Sequence, residues 1–484
     1  MTGHPLPQAA RAVWLSLDGV WEVELSGGRP QLILVPWSFE AQRSGIADAG
    51  EVHEHVRYRR VFTVPREWRG GRVLLRFGGV DWRASVFLDG RAIAEHESGY
   101  THFTVDLGPL QGEHELVVEV EDPTDDSFGQ AKGKQRGSHG IWYTRTTGIW
   151  RSVWLEPVPG EYVADPSLRV DADGSVTGAP DVDVTVRGLE GTPRSWRPDD
   201  PVLYDVELRL GEDVVRSYVG FRTIERRGRE LLLNGEPLRI AGVLDQGFWP
   251  DGVYTGSNDQ LRTDVEAAKS LGFNLARKHV KVEDPRWYAW CDRLGLLVAQ
   301  DMPSSHDLST VVARERFRRE WQDVLRQLSA HPSVVLWIPI NEDWGEPPPE
   351  FQRALVTDTR MADPTRLVID ASGWKQHEDT DLVDVHDYGA KLTRHLGARD
   401  DLPLWFGELG GLSVGSGEFA YRHVADLAAG YERIVEQVPA EAAGFVWTQL
   451  TDVEGEQNGL LTDERVPKCD PAPIRARNES FLRR

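Results

Sequence analysis

The run Val334-Val-Leu-Trp-Ile-Pro-Ile-Asn-Glu342 is apolar until it ends in an amide and a carboxylate. A continuous apolar run of this kind is typical of a strand that is buried on both faces, as in a parallel sheet. In a closed parallel barrel, the carboxyl ends of the strands surround one mouth. We therefore expect Asn341 and Glu342 to lie at such a mouth, although a single Glu after a strand is more often a solvated residue.

A second run, Leu402-Pro-Leu-Trp-Phe-Gly-Glu408, has the same pattern. If both runs belong to one barrel, two strands each bring one glutamate to the same mouth. Glycoside hydrolysis requires such a pair, because one carboxyl group protonates the departing oxygen while the other attacks the anomeric carbon or activates water. The pair is therefore more informative than either residue alone.

From residue 228 onward, apolar strands alternate with helical patterns. The predicted strands are 238–243, 273–277, 296–300, 333–340, 367–370, 382–385, 404–406 and 443–447, and the clearest helices are 258–271, 314–330 and 349–362. Eight strands that alternate with helices over this length predict a (β/α)8 TIM barrel, which we expect to be the catalytic domain at residues 228–484.

The first part of the chain lacks helical periodicity. Residues 1–158 contain regularly spaced short strands and turn signals such as Asp89-Gly90, which predict a β-sandwich or jelly roll. Residues 159–227 form a second, smaller β region. The polar, glycine-rich segment 122–148 is long for a loop in a compact domain, so it is the first candidate to reach another domain's site.

Composition disfavours several classes of function. The chain has 55 Lys and Arg against 77 Asp and Glu, a net charge of −22, so neither nucleic acid nor an anionic membrane is an expected partner. Two cysteines, Cys291 and Cys469, are too few for a disulfide framework or a Cys-based zinc site. The N-terminus has no apolar signal core and no run is long enough to span a bilayer, so we expect a cytoplasmic protein.

Polar residues dominate the ends of the predicted strands. They are Asp245, Arg277, His279, Asp301, Asn341, Glu342, His386, Tyr388 and Glu408, with Trp447 at the end of the eighth strand and Trp344 two residues after Glu342. The chain has no His-Glu-x-x-His motif and no phosphate-binding loop, so we expect neither a metal ion nor another cofactor. We expect Asn341 to bond a sugar hydroxyl, Tyr388 to orient a nucleophilic carboxylate, and Trp447 to form a stacking floor.

Each of these single assignments competes with a structural role. Asp245 and Asp301 could cap the helices that follow them, and His279 and His386 could be core histidines with satisfied hydrogen bonds. Arg277 could only neutralise buried carboxylates. Trp344 and Trp374 could only cover the mouth of the barrel. Only the whole set of residues, taken together, favours the binding and hydrolysis of a glycoside.

Further motifs accompany the two glutamates. They include Leu17-Asp-Gly-Val-Trp21, Gly78-Gly-Val-Asp-Trp-Arg-Ala-Ser-Val-Phe-Leu-Asp-Gly90, Thr147-Gly-Ile-Trp-Arg151, Leu233-Asn-Gly-Glu-Pro237 and Phe406-Gly-Glu-Leu-Gly410. Over nearly the whole length, the chain resembles glycoside hydrolase family 2, the family of bacterial β-galactosidases, β-glucuronidases and β-mannosidases. The resemblance implies an N-terminal jelly-roll β-sandwich, a short immunoglobulin-like β-sandwich at 159–227, and a C-terminal TIM barrel. It also implies that Glu342 is the acid/base and Glu408 the nucleophile of a retaining mechanism, with carboxyl groups roughly 5–5.5 Å apart.

The chain departs from the family pattern in three places. Its immunoglobulin-like region is short. Segment 242–252 differs from the family's Gly-Val-Asn-x-His, so the sugar that the pocket accepts can differ from galactose. Glu456-Gln-Asn458 replaces the Asn-x-Lys carboxylate clamp of β-glucuronidases, which leaves no cation there and disfavours an anionic sugar.

These observations predict a retaining exo-β-glycosidase that removes a terminal neutral sugar from a β-glycoside or oligosaccharide, most similar to a β-galactosidase. Other specificities stay open, namely galactofuranosidase, arabinosidase, mannosidase or glucuronidase. A non-catalytic carbohydrate-binding relative is also open, because a fold does not establish a function. The sequence is compatible with a homo-oligomer.

Overall fold

The N-terminal part of the chain is a sandwich of two antiparallel β-sheets. The structure is a computed structural model that describes residues 3–68, 70–171, 173–373, 375–377, 379–393, 399, 401–414 and 419–484. The strands of this part are β1 Leu15–Ser16, β2 Gly19–Leu25, β3 Gln31–Val35, β4 His55–Val64, β5 Arg72–Phe77, β6 Val80–Asp81, β7 Arg83–Leu88, β8 Arg91–Glu97, β9 Phe103–Pro109, β10 Gly112–Glu121, β11 Gly148–Ile149 and β12 Val153–Val158. One sheet has the order β3-β2-β4-β10-β7-β8 and the other β1-β12-β5-β9. Their inward side chains, such as Trp21, Tyr58 and Phe77, form one apolar core, as the predicted jelly roll requires.

A smaller β region follows the sandwich. Its strands are β13 Arg169–Val170, β14 Val176–Thr177, β15 Asp183–Val186, β16 Tyr204–Leu210 and β17 Asp213–Val219. β15, β16 and β17 form a three-stranded antiparallel sheet, and β13 pairs with β14. The immunoglobulin-like character of this region stays a prediction, as do the domain limits at residues 158 and 227.

A second small sheet leads into the barrel. It consists of β18 Ile224–Arg227, β19 Glu230–Leu233 and β20 Glu236–Leu238. The remaining strands are β21 Ile240–Asp245, β22 Leu275–Lys278, β23 Leu297–Asp301, β24 Val334–Ile338, β25 Leu367–Val368, β26 Val383–Asp387, β27 Leu404–Gly410, β28 Leu412–Ser413, β29 Arg422–His423 and β30 Gly444–Thr448. The helices are α1 Asn258–Ser270, α2 Pro285–Leu294, α3 Val311–Leu328, α4 Pro349–Ala362, α5 Leu427–Val435 and α6 Pro471–Leu482.

The barrel is one eight-stranded sheet in the order β25-β24-β23-β22-β21-β30-β27-β26. Each paired neighbour is parallel, and β25 and β26, the two end strands, are consecutive in the chain. This arrangement confirms the predicted TIM barrel. All eight carboxyl ends therefore lie at the same rim, where the predicted site residues occur. Within the described ranges, no helix is both long enough and apolar enough to span a membrane.

The predicted elements are present with shifted ends. Ser257 caps α1 and forms a reciprocal capping box with Gln260. α3 begins at Val311 rather than residue 314, because Thr310 caps it by accepting a hydrogen bond from Ala313 N. The two valines that follow the cap, Val311 and Val312, are exposed and therefore gave no amphipathic signal.

The segment 129–147 of the jelly roll packs directly on the barrel. The backbone N–H groups of Lys132 and Gly133 both donate to Ser304 O at 2.9 Å. Tyr143 and Trp150 belong to the same apolar cluster as the barrel helices. The segment is part of the loop that the sequence marked as a candidate for a contact with another domain, and it makes such a contact.

Gly133 allows the closest part of this contact. Its φ is +55°, and a Cβ atom there would lie 2.2 Å from Val280 O of the barrel. Gly137 in the same loop also has a positive φ, +90°, but a Cβ atom there would meet nothing within 4 Å. Gly137 is therefore a matched control for Gly133.

We expect Gly133→Ala to destabilise the protein more than Gly137→Ala. Both variants place alanine in left-handed backbone, which costs roughly 1 kcal/mol, but only Gly133→Ala adds an overpacking cost of about 1–3 kcal/mol. Chemical unfolding of both variants measures the difference. Equal losses would contradict a tight contact between the loop and the barrel.

Candidate active site

Glu342 and Glu408 lie together at the rim of the barrel. One oxygen of each carboxyl group and one imidazole nitrogen of His386 are all within 4.8 Å of one another. This spacing is compatible with the roughly 5–5.5 Å between carboxyl groups that a retaining glycosidase needs. Glu408 belongs to β27 and its side chain is 6% exposed, whereas Glu342 follows β24 and its side chain is 20% exposed. Glu342 is therefore the more accessible of the two.

Glu408 is held as an anion. Arg277 Nη1 donates to its Oε1 at 3.1 Å, and the Tyr388 hydroxyl donates to Oε2. Burial raises the pKa of Glu408, but the charges of His386, His279 and Arg277 and the hydrogen bond from Tyr388 outweigh it and lower the pKa to about 2. Tyr388 thus contacts the carboxylate that the sequence expected it to orient, and its orienting role stays a prediction. An ionised carboxylate with a fixed orientation is suited to nucleophilic attack.

Arg277 connects Glu408 to the rest of the site. Its Nε and Nη2 atoms donate to both oxygens of Asp301, at 3.0 and 2.9 Å, and Nη2 also donates to Asn341 Oδ1 at 2.8 Å. Arg277 and Asp301 are fully buried, so these contacts are shielded from water. Arg277 lowers the pKa of Asp301 against the effect of burial. The charge-neutralising role that the sequence left open for Arg277 is therefore present.

Glu342 projects from a tight turn. Its φ is +48° and that of Asp343 is +62°, and Trp344 N donates to Asn341 O at 2.8 Å. The backbone N of Glu342 donates to Ser372 O at 3.2 Å. His386 Nδ1 lies 2.5 Å from Glu342 Oε1. The turn and the imidazole together fix the direction of this carboxyl group.

His279 and His386 are both buried close to Glu408. His279 Nδ1 is 3.0 Å from Asp301 Oδ2 and 4.0 Å from Glu408 Oε1. Burial lowers the pKa of His279, although the hydrogen bond with Asp301 and the charge of Glu408 act in the opposite direction. Both histidines contact the carboxylates of the site, so they support it in addition to filling the core.

Aromatic rings from two domains surround this part of the rim. Trp142 of the jelly-roll loop and Trp344 have ring centroids 4.9 Å apart, and His306 lies 5.2 Å from Trp142. Tyr421, which is 44% exposed, stacks on Tyr388 with centroids 3.6 Å apart. Trp142, His306 and Tyr421 are not among the site residues that the sequence predicts. Their positions depend on contacts between distant segments, which local patterns do not encode.

A cation lies beside Glu456, contrary to the sequence-based expectation. Lys134 Nζ of the jelly-roll loop is 3.0 Å from Glu456 Oε2, and the Tyr143 hydroxyl donates to the same oxygen at 2.5 Å. Burial raises the pKa of Tyr421, and the charges of Glu408, Glu342 and Glu456 raise it further. The expectation was wrong because the cation comes from another domain, more than 300 residues earlier in the chain.

Two predicted site residues, Asp245 and Trp447, contact groups other than the two glutamates. Asp245 Oδ2 accepts a hydrogen bond from Lys278 Nζ at 2.7 Å, and Oδ1 accepts one from Gly247 N at 2.9 Å. Trp447 is fully buried against Tyr431 of α5, with ring centroids 4.4 Å apart. We therefore leave Asp245 and Trp447 out of the proposed sugar contacts. Trp374 lies outside the described residues.

The same atoms could also hold a metal ion, because Glu342, His386 and Glu408 each offer a ligand atom. However, Arg277 already donates to Glu408 Oε1, the oxygen that lies 3.6 Å from His386 Nδ1. A metal cation between these groups would be placed close to the guanidinium charge. The site is therefore better suited to proton transfer and nucleophilic attack than to a metal.

We expect Arg277→Met to destabilise the protein by about 3–5 kcal/mol near pH 7, because it leaves buried carboxylates without their cation. The pKa of Glu408 is lowered from 4.5 to about 2, and that of Asp301 is also lowered. The stability they contribute through Arg277 is thus present above their ordinary pKa and is lost as the pH falls towards 2. Urea unfolding at about pH 7 and pH 4 measures this, and a difference between wild type and variant that does not shrink at the lower pH would contradict the assignment.

Family models match two parts of the chain. Residues 49–150 match the glycosyl hydrolase 2 galactose-binding domain-like model, and residues 224–390 match the TIM barrel domain of glycosyl hydrolases family 2. The two matches cover the jelly roll from β4 to β11, including segment 129–147, and the barrel through β26. They include Glu342, but not Glu408.

Similar proteins come from the same family. A β-galactosidase of Thermoanaerobacter pseudethanolicus is 24% identical over 59% of this chain and 44% of its own length, so this chain spans less than half of that relative. A β-glucuronidase of Canis lupus familiaris is 24% identical over 95% of this chain and 90% of its own length. The crystal structure of a GH2 β-galacturonidase from Eisenbergiella tayi, bound to glycerol, has a TM-score of 0.81 at 19% identity and covers 98% of this chain and 97% of its own. With its jelly roll, its TIM barrel and both family models in place, the chain belongs to glycoside hydrolase family 2.

Proposed function

We propose that the protein is a retaining exo-β-glycosidase that releases a terminal neutral sugar, with a β-galactoside as the first candidate substrate. The observation that carries the proposal is the pair Glu342 and Glu408, which share one cluster but have different surroundings. Glu408 contacts Arg277 and Tyr388, which keep it ionised, whereas Glu342 contacts His386 and is more accessible. Two carboxyl groups with different environments can divide the roles of nucleophile and acid.

In the first step, Glu408 attacks the anomeric carbon while Glu342 donates its proton to the departing oxygen. The glycosidic bond breaks, the aglycone leaves as an alcohol, and the sugar is linked to Glu408 as an ester. In the second step, the ionised Glu342 takes a proton from water, and the resulting hydroxide attacks the anomeric carbon. Glu408 is released, Glu342 is protonated again, and the configuration of the sugar is retained.

We expect Glu408→Gln to lower kcat by several orders of magnitude without loss of the fold, because the amide cannot form the ester. Glu342→Ala should lose much less activity on a dinitrophenyl glycoside, whose leaving group needs no proton, than on a methyl glycoside. Initial rates with both substrates and circular dichroism of both variants check these outcomes. Wild-type activity in the Glu408→Gln variant would contradict the assignment.

The choice of a neutral sugar rests on the charges around the site. A sugar carboxylate needs a cation that is not already neutralised. Arg277 is paired with Asp301 and Glu408, and Lys134 is paired with Glu456. These pairs favour a neutral sugar, although several similar proteins are named β-glucuronidases. A uronic acid is therefore the alternative substrate, and a location in the cytoplasm and a homo-oligomer remain further predictions.

We expect Glu456→Gln to raise the ratio of uronide to galactoside hydrolysis by about tenfold or more, because it leaves the charge of Lys134 available to a carboxylate. Lys134→Met is the matched control, since it removes the cation and should not raise this ratio. The ratio of kcat/KM for nitrophenyl glucuronide and galactoside measures the effect. A wild-type preference for the uronide would contradict the neutral-sugar proposal.

A further inference from the structure

The imidazole of His386 lies between the two glutamates. Its Nδ1 atom is 2.5 Å from Glu342 Oε1 and 3.6 Å from Glu408 Oε1. The His386 side chain is fully buried, so it offers little surface to a bound sugar. A role as a sugar contact, which the sequence predicted, is therefore poorly supported by its position.

The backbone around His386 is shaped to hold the ring. Gly373 has a φ of +69°, and a Cβ atom there would lie 2.7 Å from the Cγ and Nδ1 atoms of the imidazole. On the neighbouring strand, Gly407 N donates to Asp384 Oδ1 at 2.8 Å, and a Cβ atom on Gly407 would lie 2.2 Å from that oxygen. Because neither glycine has a Cβ atom, the imidazole of His386 and the carboxylate of Asp384 can approach the backbone this closely.

Among the described residues, the groups beside the two nitrogens of His386 differ in whether they donate or accept a hydrogen bond. On the Nε2 side lie Arg277 Nη1, a donor, at 3.4 Å and Asp384 Oδ2 at 3.9 Å. On the Nδ1 side lie the carboxyl groups of Glu342 and Glu408. Since Arg277 cannot accept a hydrogen bond, the neutral ring is favoured with its proton on Nδ1. A protonated ring also carries N–H at Nδ1, so both forms can donate to Glu342.

We propose that His386 is a positioning residue for the acid/base, which holds Glu342 Oε1 and stabilises the charge that develops when Glu342 gives up its proton. This inference rests on the proposed function. During glycosylation, the proton moves from Glu342 to the departing oxygen, and the new carboxylate stays hydrogen-bonded to Nδ1–H. A hydrogen bond to an ionised acceptor is stronger than one to a neutral acceptor, so the contact contributes more as the reaction proceeds.

Leaving groups of different basicity test this role. A methyl or phenyl aglycone needs the proton of Glu342, whereas a dinitrophenyl aglycone does not. We expect His386→Ala to lower kcat/KM for the methyl or phenyl glycoside by about 100-fold, and that for the dinitrophenyl glycoside much less, because only the first reaction develops charge on Glu342. A merely structural role for His386 would lower both rates by the same factor.

Two conservative variants separate the two ring nitrogens. The amide nitrogen of asparagine occupies nearly the position of Nδ1, whereas that of glutamine occupies nearly the position of Nε2. We therefore expect His386→Asn to recover much of the activity on the phenyl glycoside and His386→Gln to recover little. Gly373→Ala, which displaces the ring without removing it, should give the same dependence on the leaving group as His386→Ala.

The experiment measures kcat/KM of wild type and the four variants with the phenyl and dinitrophenyl glycosides of the sugar that wild type cleaves best. Thermal unfolding of each variant establishes that it is folded. Equal losses on both substrates, or equal activity of His386→Asn and His386→Gln, would overturn this inference alone. A wild-type protein that cleaves neither substrate would overturn the proposed function as well.

Discussion

The guanidinium of Arg277 is the interaction on which the site depends. It donates to carboxylates on β23 and β27 and to the amide of Asn341 after β24, so one buried side chain on β22 connects four strands of the barrel. Burying these charges is costly unless they are paired, and here the pairing fixes their geometry as well. Glu408 is therefore oriented before any substrate binds. Tyr388 adds a second contact to the same carboxylate, on the oxygen that Arg277 does not use.

The groups that surround Glu342 differ from those that surround Glu408. Glu342 projects from a turn with left-handed backbone at two successive residues, and its partner is an imidazole rather than a guanidinium. An imidazole donor beside one carboxyl group and a fixed cation beside the other distinguish two residues of the same type. This asymmetry does not require different sequence motifs, since both glutamates follow similar apolar runs. The asymmetry arises because the barrel places different strands, and therefore different side chains, next to Glu342 and Glu408.

The sequence predicted the barrel and the two glutamates because both are encoded locally. Apolar runs at regular spacing specify parallel strands, and strand ends at one rim bring distant carboxylates together. Asp245 and Trp447 were harder to place, because a residue near a strand end can face either the mouth or the surrounding helices, and a one-residue shift decides between them. Trp142 and Lys134 could not be assigned to the site from local patterns at all. Their roles depend on how a loop of one domain docks on another.

The contact of segment 129–147 with the barrel has a consequence for the order in which the protein folds. Trp142 and Lys134 reach the rim only when the jelly roll is in contact with the barrel. In synthesis from the N-terminus, the jelly roll is translated first, and domains generally fold as units in that order. Segment 129–147 can dock on the complete barrel only after β30, the last barrel strand in the chain, has joined the sheet. Trp142 and Lys134 therefore gain their contacts at the rim late in folding, although they are translated early.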